Sequence, residues 1–321
     1  MGIDDRDRSQ ATGAARDNPD VELAADLAAP DSEVALESLS QWQLAWRRFK
    51  RHRLALVGLV IFGTILAIAV FGPFLLAYEV LDFPGASRPG GDPPSLEHLF
   101  GTDRDGRDVF AMTINGARIS LAVGLGSVMI AGFIGVTVGA TAGFLGGKVD
   151  NVLMRLVDVL FAIPFLFVIL VAARFFGGGD VWSIILIFGL LTWPLIARLV
   201  RASFLSLRET DFVDAARAVG VSSRRIAFRH VLPNAMGPVI VAMTLLMASN
   251  IILEAFVSFL NFGISETQVT WGNSLSNAQN ALSLGNWWWA LFPGMAIALT
   301  VIAINFIGDG LRDALDPRTK E

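Results

Sequence analysis

No cysteine occurs among the 321 residues, so a disulfide framework and thiolate metal or redox chemistry are excluded. The three histidines, His52, His98 and His230, lie far apart and form no HExxH or paired zinc motif. Charge is scarce too. Asp, Glu, Lys and Arg make up 17% of the chain, against about 25% in soluble globular proteins. Lysine is nearly missing, 3 residues beside 22 arginines. The nearest approach to a phosphate-cradling G-x4-G-K-[ST] loop, Ala142 to Val149, lacks the first glycine and the hydroxyl. No ATP-hydrolysing site is therefore expected in this chain, which reads as no enzyme, with no cofactor or metal of its own. A hydrolase nucleophile motif such as GxSxG is also missing.

Apolar residues are abundant. They make up 54% of the sequence and are gathered in blocks, and mean hydropathy is +0.58. A helix needs about 20 apolar residues to cross a hydrocarbon core. Six stretches qualify: 54–77, 119–144, 151–173, 181–203, 236–262 and 287–309. They are continuous and lack the alternation of a membrane barrel. An all-α membrane protein with six transmembrane helices is predicted. Twenty basic residues fall on one side of this arrangement and five on the other, which places both termini in the cytoplasm, with the first segment an uncleaved anchor.

The net charge of −4 is uneven, because residues 1–40 alone carry −7 and contain no aromatic residue. Such a segment cannot bury enough apolar surface to order itself, and it reads as an acidic disordered cytoplasmic tail. Residues 41–53 follow, with Trp42, Trp46 and Phe49 at helical spacing among Arg and Lys. They predict an amphipathic helix lying on the lipid of the inner leaflet. A six-helix membrane domain then spans 54–310, and 311–321 form a cytoplasmic tail. Gly135, Gly139 and Gly143 predict close helix packing. Trp287, Trp288 and Trp289 predict an aromatic belt at the outer interface. Arg155 and Asp158, three apart, predict a pair on one helix face.

Residues 204–235 are too polar for lipid and too apolar for a plain loop. Phe212, Ala215, Ala216 and Val219 recur at helical spacing, giving one apolar face. Gly220 interrupts, Ser222 or Ser223 caps a second short helix near Arg224, and Leu232-Pro233 ends it. A helix–turn–helix knob between helices 4 and 5 is predicted.

The spelling Asp214-Ala215-Ala216, Gly220, then His230-Val231-Leu232-Pro233 resembles the "EAA" motif of ABC importer permeases, with Asp for Glu and His for Ile. Four further stretches resemble the C-type permeases of dipeptide, oligopeptide and nickel importers. They are His98 to Asp103 with Gly106-Arg107-Asp108-Val109, Arg198 to Glu209, Glu254 to Leu260, and Gly308 to Asp313 with Asp316-Pro317.

The resemblance covers residues 42–318. It implies the type I ABC importer permease fold, with the knob as a cytoplasmic coupling-helix insertion in the bacterial inner membrane. It implies as partners a second homologous permease subunit, two ABC ATPase subunits that bind ATP and Mg, and an extracytoplasmic solute-binding protein. No nucleic-acid partner is implied. Asp214, Ala215, Ala216, Gly220, Leu232 and Pro233 would couple to the ATPase. Peptides are the expected cargo, with nickel or another small solute as the alternative within the family. An ion-gradient-driven secondary transporter is the alternative outside it, and it leaves the knob unexplained.

Polar residues at membrane depth mark candidate pathways. Asn250, Glu254, Ser258 and Asn261 share one helical face. Asn250, Glu254 and Ser258 are taken as the candidate translocation path.

Overall fold

The computed structural model describes residues 41–74, 91–175, 179–265 and 267–316. The acidic tail 1–40 and residues 317–321 lie outside the described residues, as does the first part of the long loop after segment one. Residues 41–44, the described part of the first of two units, are helical. Ala45–Glu321 form the other. Among the described residues the regular elements are helices, and an isolated bridge joins Thr102 to Asp108.

Helix α1, Gln41–Arg51, carries Arg48, Lys50 and Arg51 in its last turn, where cations favour the helix dipole. Trp46 is exposed and stacks on Phe49 at 5.9 Å. Phe49 itself is buried with Ala45 against Ala55 and Ala314, so it faces protein and not lipid, as the spacing alone had suggested. His52 then starts α2, Arg53–Phe71. Its Nδ1 accepts the Ala55 N–H at 3.0 Å.

The centre of the fold is the pairing of α3, Val109–Leu145, with α6, Val181–Leu207. The three spaced glycines of α3 face α6. A Cβ on Gly135 would lie 2.6 Å from Ile196 Cβ, one on Gly139 2.7 Å from Val200 Cβ, and one on Gly143 2.6 Å from Phe204 Cβ. The two backbones therefore approach over more than two turns. In lipid, where apolar burial alone does not drive helices together, such van der Waals contact does. Ile196, Ala197, Val200 and Phe204 pass from this seam into the main core.

The segment expected as one span over 151–173 is broken. Helix α4, Gly147–Ala162, and helix α5, Phe165–Phe175, meet at 85°. Ile163 lies at φ −85° and ψ 133°, the extended conformation that a following proline imposes. Pro164 lacks the N–H that would continue the ladder. The pair is fastened at its start, where Asp150 accepts two hydrogen bonds from the Arg201 guanidinium, at 2.5 and 2.6 Å. Asp158 pairs at 2.6 Å with Arg198, across to α6, and not with Arg155 as the i, i+3 spacing suggested.

Helix α7, Asp211–Ala218, forms the first leg of the knob. Helix α8, Leu232–Phe259, α9, Trp271–Ser283, and α10, Trp288–Leu315, complete the chain, with α10 running beyond 310. Among the described residues five helical runs are long and apolar enough to cross a membrane, and the bent α4–α5 pair makes a sixth if it counts as one span.

Candidate coupling knob and buried polar cluster

Thr210 precedes α7, and Asp211 and Asp214 occupy its first turn, where the exposed N–H groups favour acids. The helix ends in a Schellman turn. Gly220 N–H donates to Arg217 O at 2.9 Å and Val221 N–H donates to Ala216 O at 3.0 Å. Gly220 sits at φ +81°, a conformation that side chains other than glycine resist. Val213 is fully buried, and Ala216 and Val221 pack against the same core of Phe204, Ile226 and Val231. These residues clamp α7 to the membrane helices.

The apolar face expected from spacing divides in two. Ala216 turns inward, while Phe212 and Val219 stay 41% and 80% exposed, and Ala215 is exposed between them. Phe228, on the second leg, is 61% exposed. Asp214 is exposed and accepts a hydrogen bond from Arg217 at 3.1 Å.

The second leg differs from expectation. Ser222 precedes a single turn, Ser223–Arg225, but its side chain makes no cap. The chain then runs through a π turn, Ile226–Val231, directly into α8. Leu232-Pro233 therefore does not end the leg. Pro233 stands in the first turn of α8, where a missing N–H costs least. The wider π turn lets Leu232 N–H reach Ala227 O, five residues back, just ahead of the proline. Leu232 is half-buried against the core and Pro233 is exposed.

At the other end of α8 is a polar cluster. Asn250, Glu254 and Ser258 are all buried. Asn250 Nδ2 donates to Ser127 Oγ at 2.8 Å, and Ser127 donates to Val123 O at 2.6 Å. Glu254 accepts from Ser120 Oγ at 2.8 Å and from Ser258 Oγ at 2.9 Å. Asn250 also borders a groove of about 410 Å³ between α6, α8 and the α4–α5 break, lined by Phe161, Ile163, Pro194, Leu246 and Ser249. Asn261, expected on this face, is exposed and lies beyond the end of α8 at φ +61°. Ser120 and Ser127, from α3, were missed as partners. Their spacing of seven puts both on one face of α3, but nothing in the local sequence names Asn250 or Glu254 as the partner.

The turn at 91–108 belongs to the same end. Asp103 accepts from the backbone N–H of Asp105 at 2.9 Å and of Arg107 at 2.8 Å, and from Arg107 Nε at 2.5 Å. Burial pushes its carboxyl above the usual range, against the pull of Arg107 and those N–H groups. Asp108 caps α3 by accepting the Ala111 N–H at 2.8 Å, and its second oxygen lies 2.8 Å from His98 Nδ1. Thr102 O accepts from the indole N–H of both Trp288 and Trp289, at 3.0 and 2.8 Å. Those two tryptophans are buried, so the aromatic belt reduces to the half-exposed Trp287. The other two rings each bury a large apolar area while the N–H finds a partner.

Two family descriptions match this chain. Residues 135–321 match the binding-protein-dependent transport system inner membrane component, and residues 40–88 match the N-terminal transmembrane domain of oligopeptide transport permease C. The chain is 40% identical over 287 residues to the dipeptide transport system permease protein DppC of Bacillus subtilis, covering 89% of each. It is 37% identical over 301 residues to the oligopeptide transport system permease protein OppC of the same organism, covering 94% of this chain and 97% of the relative. It is 42% identical over 275 residues to a putative peptide permease protein of Brucella suis, covering 85% and 90%. The helical architecture and these similarities agree, and the chain belongs to the binding-protein-dependent transport system inner membrane component family.

Proposed function

We propose that the chain is a permease subunit of an ATP-driven importer that carries peptides across the bacterial cytoplasmic membrane. The peptide cargo is supported by the relatives, whose names specify dipeptide or oligopeptide transport. The chain makes six crossings, counting α4 and α5 as one broken span, with both termini and the knob in the cytoplasm and α9 outside. A second homologous permease chain completes the pathway. Two ATPase subunits hold ATP and Mg²⁺ and do the hydrolysis, and an external binding protein delivers the cargo.

The observation that carries this reading is the division of the knob into an inner and an outer face. Val213, Ala216 and Val221 anchor α7 in the membrane core, while Phe212, Ala215 and Val219 stay exposed on it. A lever needs one face fixed and one face free for its partner. Asp214 supplies charge beside the free face, and Ala215 leaves room for a close approach. Gly220 makes the turn that returns the chain to the core. Leu232 and Pro233 begin the helix that takes the motion into the membrane. An ATPase pair that closes on ATP supplies the differential contact by which such a switch is driven.

Asn250, Glu254 and Ser258 lie along the translocation path, Asn250 at the groove and the other two in the wall behind it. The acidic tail 1–40, the interfacial segment 41–53, the membrane domain 54–310 and the terminal segment 311–321 are separate parts of this scheme.

Gly220→Pro tests the coupling assignment. Proline fixes φ near −65°, far from +81°, and removes the N–H that donates to Arg217 O. ATP-dependent peptide uptake should vanish while membrane insertion and abundance persist. Normal uptake at normal abundance would sink the assignment.

A further inference from the structure

Two arginines of α6 hold α4 in place. Arg201 bonds Asp150 near the start of α4, and Arg198, one turn earlier on α6, bonds Asp158 near its end at 2.6 Å. The Arg198 guanidinium also lies over the Phe161 ring, 4.2 Å from its centroid, as a cation favours the face of an aromatic ring. One side chain of α6 thus touches both Asp158 and Phe161. Val157 is fully buried and Leu160 is half-buried against the main core, so they fix the opposite side of that turn. Just beyond Phe161 the helix ends, at the Ile163-Pro164 break.

Phe161 is where this clamp meets the groove at Asn250. It lines that groove together with Leu191 and Leu195, which lie on the same stripe of α6 as Arg198. Among the described residues no ionisable side chain borders the groove. On the knob side of Phe161 the surface turns polar, with Asp158 and Arg198 54% and 48% exposed.

The exposed surface of α4 is divided lengthwise. Lys148, Asn151, Arg155 and Asp158 step by three and four residues and share one exposed flank. Val152, Leu156 and Val159 step likewise along the neighbouring flank, and they are exposed too. Both α4 and α6 belong to runs apolar enough to cross a membrane. Charged residues at such depth are costly against lipid and take water or a partner. Arg155 has no ion pair among the described residues, so the polar flank calls for water.

We propose that Arg198 is a positioning residue that holds Phe161 as the throat between the Asn250 groove and a water-filled vestibule, lined by the polar flank of α4, through which cargo reaches the cytoplasm. Arg198 is carried by the helix that ends at the knob, so a shift of the knob is delivered to the ring by the same residue. The throat rests on the importer reading above, whereas the water-filled face does not.

The tests use the full-length chain in its assembly, in inverted membrane vesicles. Arg155→Cys and Leu156→Cys stand at nearly equal depth on the two flanks, in a chain that has no other cysteine. A charged, membrane-impermeant maleimide should label Arg155→Cys at least tenfold faster than Leu156→Cys. Peptide uptake and ATP hydrolysis are then compared in Arg198→Gln, Arg198→Lys, Phe161→Ala and the Arg198→Gln/Phe161→Ala double variant. At matched abundance Arg198→Gln should raise the ATP hydrolysed per peptide imported about fivefold, and Phe161→Ala should do the same. The double variant should be no worse than either single one, as for residues that act as a unit. Arg198→Lys keeps a cation for both the carboxylate and the ring, so its ratio should stay within about twofold of wild type.

Equal labelling of the two cysteines would overturn the water-filled face. So would labelling of neither, in favour of a contact with the second permease chain. An unchanged ratio in Arg198→Gln would overturn the throat. A double variant whose ratio is the product of the two single effects would overturn it too, since Arg198 then acts without Phe161. A parallel fall of uptake, ATP hydrolysis and abundance in Arg198→Gln would reduce that residue to a structural role. A wild-type assembly that imports no peptide, with the labelling contrast intact, would remove the importer reading and the throat with it, and uphold the water-filled face.

Discussion

The turn at 91–108 and the knob at 204–235 carry the two most recognisable sequence signatures of the chain, and they use them in opposite ways. In the turn nearly every polar group is consumed locally. Asp103 takes three donors, Asp108 caps α3 and meets His98, and Thr102 O receives two indoles. In the knob the inward residues are as well packed, but Phe212, Ala215, Val219 and Phe228 are left uncovered, a wider apolar face than the Leu96 and Leu99 that the turn exposes. A signature whose residues satisfy one another specifies architecture. A signature that leaves an apolar face open leaves room for a partner, which is the role proposed for the knob.

This contrast makes graded predictions. Gly101 is at φ +74°, and a Cβ there would lie 2.6 Å from Asp92 O and 2.8 Å from the Trp288 ring. Gly101→Val should therefore destabilise the chain by about 3–5 kcal/mol, as strain and overpacking combine. Thermal unfolding in detergent should show the loss together with reduced abundance. Asp103→Asn should cost less, about 1–2 kcal/mol, because the backbone N–H groups keep an acceptor and the partly buried Arg107 loses the nearer of its two carboxylates while Asp105 stays at 3.7 Å. Ala215→Arg should change stability by less than about 0.5 kcal/mol, as surface substitutions do. Yet it should abolish ATP-driven uptake and ATPase assembly. A large stability loss in Ala215→Arg, or a mild one in Gly101→Val, would break the distinction between the two signatures.

Much of the architecture was readable in the sequence. Five apolar runs correspond to helices, and the four-residue glycine spacing marks the face of α3 that meets α6. The knob between α6 and α8 was legible because its composition changes against the blocks on either side. What escaped depends on partners distant in sequence. Ser120 and Glu254 are 134 residues apart, so no local pattern joins them. Asp158 had a candidate three residues away, but the tertiary fold offered Arg198, 40 residues on. Trp288 and Trp289 looked like lipid anchors because a terminal Trp cluster and a buried indole clamp are spelled alike. Pro164 was visible, but hydropathy does not distinguish a kink from an 85° break.

The account turns on the outward face of the knob meeting an ATPase. Because the chain contains no cysteine, a single one can be placed there without removing others. The decisive measurement is thiol cross-linking from Ala215→Cys in native membranes, with Thr137→Cys on the exposed side of α3 as the control. The predicted result is a covalent product between the Ala215→Cys chain and a P-loop ATPase subunit, with a yield that changes on adding ATP and no such product from Thr137→Cys. ATP-dependent peptide uptake by the Ala215→Cys chain, with no cross-link to any ATPase under any nucleotide condition, would contradict it.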